Sequence, residues 1–468
     1  MTLSRITNDH GHTQQVNTTF DASVGKDYHL GSHHSTLEIG GKFRRAHKYD
    51  DSYSDRLDPL VSISMTQFPS RFSNSNFYDG AYSLGPAPIY EDALAFSNSN
   101  PGAFKFRTTQ GVDPGNYDLV EKVAAGYIMN TVDFSARARL LGGVRVENTE
   151  LTTLSFDTEA NTLSVRANGS YLSVLPSISL RYAFTPETNI RLAYSRGLSR
   201  PDPQDIAQSV TFTSSGSPGS LKNTASLGNP NLKAEVADNI DVLFERYLQP
   251  FGQVSGGFFY KNLSDPIVTS TRVLNDFQPT PIAPVGTYTV TQPFNAGSAW
   301  IAGFEAAYTH HLSSLPGPLG GLGISANYGY TASRATGLVG RSDHPRLLRN
   351  APNTWNISPT YDRPRVSIRV GLSYNQANIY SYQYQDGTDG TDPTPGGKGG
   401  PFGDLYFYSH LQLDAQGSVN IGHQTSFVIY GLNLTNEVFG FYQGDPQYMI
   451  QREYYKPSVA VGLRWSGR

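Results

Sequence analysis

The feature that most constrains the fold is a two-residue alternation that recurs along the whole chain. In the stretch NIRLAYS (residues 189–195), large apolar side chains alternate with charged or small ones. Side chains of a β-strand point to opposite faces with this period. One face therefore needs apolar surroundings, whereas the face with Arg191 needs water or a polar partner. Two folds fit: a soluble antiparallel sheet with one solvated face, and a membrane barrel with a polar lumen.

The same alternation recurs in about fifteen segments, each near the roughly 9–11 residues that a tilted strand needs to cross a bilayer. We place them at 15–29, 35–48, 117–131, 136–149, 171–183, 189–199, 235–248, 253–264, 297–312, 322–334, 352–361, 365–378, 404–418, 425–435 and 454–466.

The connections between these segments are short and long in turn. The short ones include LGSHH, FTPETN, QPFGQ and YDRPR, and the long ones are 49–116, 150–170, 200–234, 265–296, 335–351, 379–403 and 436–453. Outer-membrane barrels have short periplasmic turns and long extracellular loops, whereas a soluble sandwich has no reason to keep this order. We therefore predict an all-β fold, a transmembrane antiparallel β-barrel. Its long loops, rich in Ser, Asn, Gly, Pro and Asp, are expected to be solvated and partly mobile.

Composition excludes several classes of protein. The 468 residues contain no cysteine, which removes disulfide scaffolds and zinc-thiolate sites. A net charge of −3 does not indicate the strongly basic surface that is typical of nucleic-acid binding. No apolar run reaches the roughly 18–20 residues of a membrane helix. Because no serine elbow, phosphate loop or His-Glu-x-x-His motif occurs, we expect neither an enzyme nor a cofactor.

Five phrases, in order, carry a resemblance to a known family. They are LAYSRGLSRPDPQDI, SLGNPNLKAEVADNIDVLFERYLQPFGQVSGGFFYKNLSDPI, NAGSAWIAGFEAAY, LRNAPNTWNISPTYD and GLNLTNEVF. From about residue 35 to its end, the chain resembles the barrel of TonB-dependent outer-membrane receptors. Two departures occur: Ala234 replaces the proline usual after the Leu-Lys of the GNP phrase, and three residues follow Trp465, where barrels tend to end on an aromatic residue.

The resemblance implies a 22-stranded barrel in the outer membrane of a Gram-negative bacterium, filled by an N-terminal plug. Such receptors import scarce small-molecule nutrients with energy from a TonB complex, and this branch favours oligosaccharides over ferric chelates. We expect residues 1–468 to form a partial barrel with about 15 of the 22 strands and no plug. The first twenty residues lack the apolar core of a signal peptide, so the chain is expected to be a fragment or to have a misplaced start.

Two other functions fit the strand pattern. One is a plug-free diffusion porin, and the other is a secreted β-rich carbohydrate-binding protein or hydrolase, which would be water-soluble. For a TonB-dependent receptor, the expected partners are outer-membrane lipid, the nutrient and, through the plug, the TonB complex. No nucleic-acid partner is expected.

Aromatic residues crowd the long loop near residue 380 and the strand after it. Flat rings can stack on sugars or apolar ligands, although an interfacial aromatic girdle with no ligand role is the alternative. Arg200, beside Pro201, either holds the base of its loop or contacts ligand. The predicted substrate-binding residues are Tyr380, Tyr382, Tyr384, Phe402 and Arg200.

Arginines lie opposite the apolar face of several segments. They are predicted to face the lumen, where docking of plug carboxylates or a solvated lining is favoured over binding of an anionic substrate. These residues are Arg137, Arg139, Arg145, Arg191, Arg365 and Arg369. Calcium binding by Asp386, Asp389 and Asp392 is weighed against an acidic loop that binds nothing, and the latter is favoured. No metal site is predicted.

Overall fold

A computed structural model describes residues 2–69, 72–77, 80, 82–110, 113, 115–157, 162–207, 210–215, 222–279, 283–338, 341, 343–382, 403–422 and 424–466. Its strands are β1 (Ile6–His10), β2 (Thr13–Leu30), β3 (His33–Asp50), β4 (Tyr53–Pro59), β5 (Asn74–Phe77), β6 (Tyr82–Leu84), β7 (Phe104–Thr108), β8 (Tyr117–Asp133), β9 (Ala138–Asp157), β10 (Thr162–Thr185), β11 (Thr188–Ser199), β12 (Val210–Ser215), β13 (Lys222–Leu227), β14 (Glu235–Leu248), β15 (Gly252–Ser264), β16 (Ile267–Phe277), β17 (Gly286–Asn295), β18 (Ser298–His311), β19 (Leu322–Thr336), β20 (Asn353–Asp362), β21 (Val366–Asn375), β22 (Asn378–Ser381), β23 (Leu405–Phe407), β24 (His410–Asn420), β25 (Thr425–Leu432), β26 (Val438–Gln443), β27 (Met449–Tyr454) and β28 (Ser458–Trp465).

Helices are few and short. They are α1 (Tyr90–Ser99), α2 (Pro203–Ile206) and 3₁₀ turns at Met65–Gln67, Pro101–Ala103 and Gly317–Gly321. Within the described ranges, no helix is long and apolar enough to cross a membrane.

One large antiparallel sheet dominates the molecule. Its fifteen strands follow the order β2-β3-β8-β9-β10-β11-β14-β15-β18-β19-β20-β21-β24-β25-β28. Every sequence-predicted segment overlaps one of these strands, so the prediction of an all-β, antiparallel barrel sheet is confirmed.

The register places large apolar side chains on one face of this sheet. Val461 of β28 lies opposite Ile429 of β25, and their side chains are 65% and 43% exposed. On the other face, the Tyr127 hydroxyl donates to the Glu38 carboxylate across β8 and β3. An uncovered apolar face and a polar inner face are what lipid outside and water inside require.

The short links are turns as predicted, but one predicted long loop is wrong. Residues 150–170 are mostly strand, because β9 continues to Asp157 and β10 begins at Thr162. The β-branched, alternating residues of this stretch favour strand over loop. The predicted strand 404–418 is also wrong as a single element, since β23 ends at Phe407 and β24 begins at His410.

Five of the other long loops, 49–116, 200–234, 265–296, 379–403 and 436–453, contain strands of their own, and the expectation that the loops are solvated and partly mobile stays a prediction. Together with β1 and β23, these strands form the sheets β1-β4-β7, β12-β13-β17-β16 and β22-β23-β26-β27, and the hairpin β5-β6. Ile6, Phe68 and Phe104 pack in one small apolar core, and Tyr288 and Val290 are fully buried in another. Apolar residues scattered among the loop polar residues supply these cores, which a composition average does not reveal.

Candidate functional site: the lumen wall and its extracellular loops

Four of the six predicted lumen arginines lie on strands of the large sheet. These are Arg139 and Arg145 on β9, Arg191 on β11 and Arg369 on β21. The other two precede their strands: Arg137 lies in the exposed turn before β9, and Arg365 lies in the turn before β21.

Carboxylates of the wall itself pair with three of these arginines. Arg139 binds Asp133 at 2.6 and 3.0 Å, Arg145 Nε donates to Glu147 at 2.7 Å, and Arg191 Nε donates to Glu245 at 2.8 Å. Arg369 instead lines an inner-face cavity of about 270 Å³ together with Asp414. Since much of the arginine charge is already balanced within the wall, docking of a plug to these residues stays a prediction.

Arg200 lies in a chain of charges that crosses β3, β8 and β9. Its Nη2 donates to Glu147 at 2.6 Å, and its Nε lies 3.5 Å from a Glu121 oxygen. Glu121 also binds Arg44, and Glu147 accepts from Arg145 Nε at 2.7 Å. We call these five residues the Arg200 network. It ties the loop that follows β11 to the wall, as the sequence predicted for the loop base, and ligand contact by Arg200 stays a prediction.

The two described aromatic candidates have different surroundings. The Tyr380 ring packs edge-on against Phe407 and Phe441, each with a centroid distance of 5.0 Å, and Arg349 lies 5.3 Å over its face. Tyr382 is 5% exposed, and its hydroxyl donates to the Arg346 carbonyl. Tyr384 and Phe402 lie outside the described residues. Substrate contact by these four residues stays a prediction.

A second arginine lies among carboxylates in the loops, and sequence reasoning missed it. Arg341 donates to Asp343 at 2.6 Å and to Asp404 at 2.7 Å, and the Arg341 and Asp404 side chains are 0% exposed. Tyr382 packs against the guanidinium, whose carbon lies 5.5 Å from the ring centroid. Burial disfavours the charge, but the hydrogen bonds that the guanidinium donates to the two carboxylates outweigh it and raise the pKa of Arg341. We call Arg341, Asp343 and Asp404 the Arg341 cluster.

No periodic signal marks this cluster, because its members lie in two different loops. The partners of Arg200 could have been predicted from the sequence. Glu147 lies two residues after Arg145, so both side chains share the inner face of β9, and Glu121 lies on the inner face of the neighbouring strand β8. The Arg341 cluster joins the connection after β19 to the one before β24, which only the folded loops bring together.

Metal ligation finds no support in the part of the chain that the structure describes. Its His, Cys, Asp and Glu residues form no group of three or more suited to a metal ion. Asp386, Asp389 and Asp392 lie outside the described residues.

The fifteen-stranded antiparallel sheet, its apolar outer face and its charged inner face define a β-barrel of the bacterial outer-membrane type. The family model described as "TonB dependent receptor-like, beta-barrel" matches residues 2–436. The chain belongs to this family, which consists of receptors and transporters rather than enzymes.

Solved structures of similar fold are receptors of the same kind. The ferric-catecholate import receptor Fiu from E. coli K12 is 13% identical with a TM-score of 0.59, over 97% of this chain and 55% of that one. The ferric citrate transporter FecA is 11% identical with a TM-score of 0.59, over 99% and 56%. The siderophore receptor PiuA from Acinetobacter baumannii is 12% identical with a TM-score of 0.58, over 97% and 56%.

At these identities the likeness concerns the fold alone. The chain spans little more than half the length of the solved receptors that it matches. No curated protein matches it.

Proposed function

We propose that the chain is the wall of an outer-membrane receptor that imports a scarce small-molecule nutrient with energy from a TonB complex. The observation that carries this proposal is the large sheet, apolar outside and lined with paired charges inside, whose long connections are all on one side. In this account, the structured extracellular loops capture the nutrient, and the inner wall accepts the plug.

The proposal also specifies the class of nutrient that the receptor imports. The sequence phrases favoured oligosaccharides over ferric chelates, but the comparisons give no support to an oligosaccharide, and the neighbours named above are ferric-chelate or siderophore receptors. The pairing of arginines with tyrosine rings in the loops, Arg349 with Tyr380 and Arg452 with Tyr408, would suit an anionic aromatic chelate. We therefore favour a ferric chelate.

Uptake of labelled iron tests this proposal. Cells of a Gram-negative host that lack their own receptors would express the complete gene and receive ⁵⁵Fe bound to catecholate or citrate. We expect uptake that a protonophore abolishes. Uptake that survives the protonophore would favour a diffusion porin, and uptake of a labelled oligosaccharide instead would restore the first substrate class.

A further inference from the structure

The wall of the large sheet splits near its extracellular end, between β10 and β11. The two strands pair only from Ser177, opposite Ser195, down to the turn that joins them. Beyond that point β10 pairs with β9 alone, while β11 continues to Ser199 paired with β14 alone. A cavity of about 410 Å³ occupies this wedge.

The two sides of the wedge differ in character. Residues 168–173 of β10 form one side, and the segment 230–234, which precedes β14, forms the other. Glu121 and Arg200 contribute opposite charges to the lining, and so do Asp265 and Lys233. Because these charges balance, the cavity offers little selection between anions and cations, and its recognition must rest on hydrogen bonds and shape.

The β10 side presents a free strand edge. In an antiparallel sheet, residues direct their N–H and C=O groups alternately to one neighbour and the other, so half of the groups in 168–173 point into the wedge. Among the described residues, the backbone hydrogen bonds of this segment are those to β9. A row of unpaired backbone groups is a template for another strand.

We propose that this wedge is a docking site for an extended peptide segment, which pairs with the free edge of β10 as an added strand. Residues 168–173 span roughly 20 Å at the usual strand rise of about 3.3 Å per residue, which suits a segment of about six residues. Main-chain hydrogen bonds supply the affinity in this mode of recognition, and alternate side chains enter the neighbouring pocket. The proposal does not depend on which nutrient the receptor imports.

Binding of two matched peptides tests the proposal on the unaltered protein. A fluorescein-labelled Thr-Val-Thr-Val-Thr-Val peptide is titrated with the protein in detergent, and fluorescence anisotropy is measured. The control peptide has the same side chains but N-methyl groups on alternate amides, which remove the donors that a strand needs. We expect saturable binding of the first peptide and at least about tenfold weaker binding of the second.

A cavity-filling variant locates the binding. Gly169 lines the cavity, and a Cβ atom added there would meet no heavy atom within 4 Å, so Gly169→Trp can fill the space without a clash at its Cβ. Gly102→Trp is the control, because Gly102 is equally open but lies in the 3₁₀ turn Pro101–Ala103 and does not line the cavity. We expect Gly169→Trp to weaken peptide binding at least about tenfold and Gly102→Trp to leave it unchanged.

Three results would overturn the proposal: equal binding of the two peptides, unchanged binding by Gly169→Trp, or no binding by the wild-type protein up to about 1 mM peptide. Thermal unfolding of both variants checks that they fold, and the N-methyl comparison remains decisive if Gly169→Trp does not. A small molecule whose binding is lost in Gly169→Trp, with no peptide binding, would likewise count against a strand-docking site.

Discussion

Arg200 and Arg341 each lie between two carboxylates, but in different surroundings. The Arg200 side chain is 24% exposed on the inner wall, and each of its glutamates has a second arginine, Arg44 or Arg145. The Arg341 side chain is fully buried in the loops, where it pairs with both Asp343 and Asp404. The wall therefore shares its charges along a chain, whereas the loop cluster is centred on one buried guanidinium.

From this difference we expect burial and redundancy, rather than the number of ion pairs, to decide what an arginine contributes to stability. Removing a partner from a buried pair leaves an uncompensated charge, which costs far more than loss of an exposed pair.

The largest effect is expected for Arg341→Met. This change removes the Arg341 guanidinium from the buried Asp404 carboxylate. The free energy of local opening of the sheet β22-β23-β26-β27, which we call the loop sheet, should therefore fall by roughly 3–5 kcal/mol. Hydrogen exchange of peptides covering 403–407 measures it. Adding Asp404→Leu removes the buried carboxylate and should restore part of the protection; unchanged exchange in Arg341→Met would contradict the prediction.

A smaller effect is expected for Arg200→Met. Each glutamate keeps another arginine, and water reaches the site, so the free energy of unfolding should fall by roughly 1–2 kcal/mol, between the values for exposed and buried pairs. Urea unfolding in detergent micelles measures this change. A loss of stability equal to that in Arg341→Met would show that Arg44 and Arg145 do not compensate for the missing Arg200 guanidinium.

Alkaline pH should act on the loop sheet through Tyr406. Burial, with the charge of Asp404 and the neighbouring Tyr442, raises the pKa of Tyr406 from 10.0 to about 12. The folded state thus favours the neutral phenol, so its stabilisation is complete below pH 10 and is lost between pH 10 and 12. Hydrogen exchange of 403–407 should accelerate over that range in the wild type and less in Tyr406→Phe. Identical pH profiles would refute the assignment.

The smallest effect is expected for Arg191→Gln. The Arg191 side chain is 48% exposed, and its pair with Glu245 is open to water. Loss of the pair should change the free energy of unfolding by less than about 1 kcal/mol. The same urea titration measures it, and a larger loss would mean that the inner wall is drier at this position than its exposure indicates.

Most of the large sheet could be predicted from the sequence because its rule is local. Ile190, Leu192 and Tyr194 share a face in any extended chain, and the order of short and long links then determines which strands are neighbours. The prediction failed at 150–170 and at 404–418. Residues 150–170 have the polarity of a loop, and residues 404–418 have the polarity of a single strand. In both segments only pairing with neighbouring strands decided the element. The aromatic candidates show the same limit, since Tyr380 and Tyr382 belong to the same aromatic stretch of the sequence but only Tyr382 is buried.

The sequence by itself determined the strand period, the polarity of the two faces and the family, because each depends on residues close in the chain or on their order. Only the tertiary structure decided that Arg341 meets Asp404, that Arg200 joins Glu121 to Glu147, and that β10 and β11 separate above Ser177. These contacts join residues far apart in the chain. Loop packing and strand register bring them together, and neither leaves a periodic mark in the sequence.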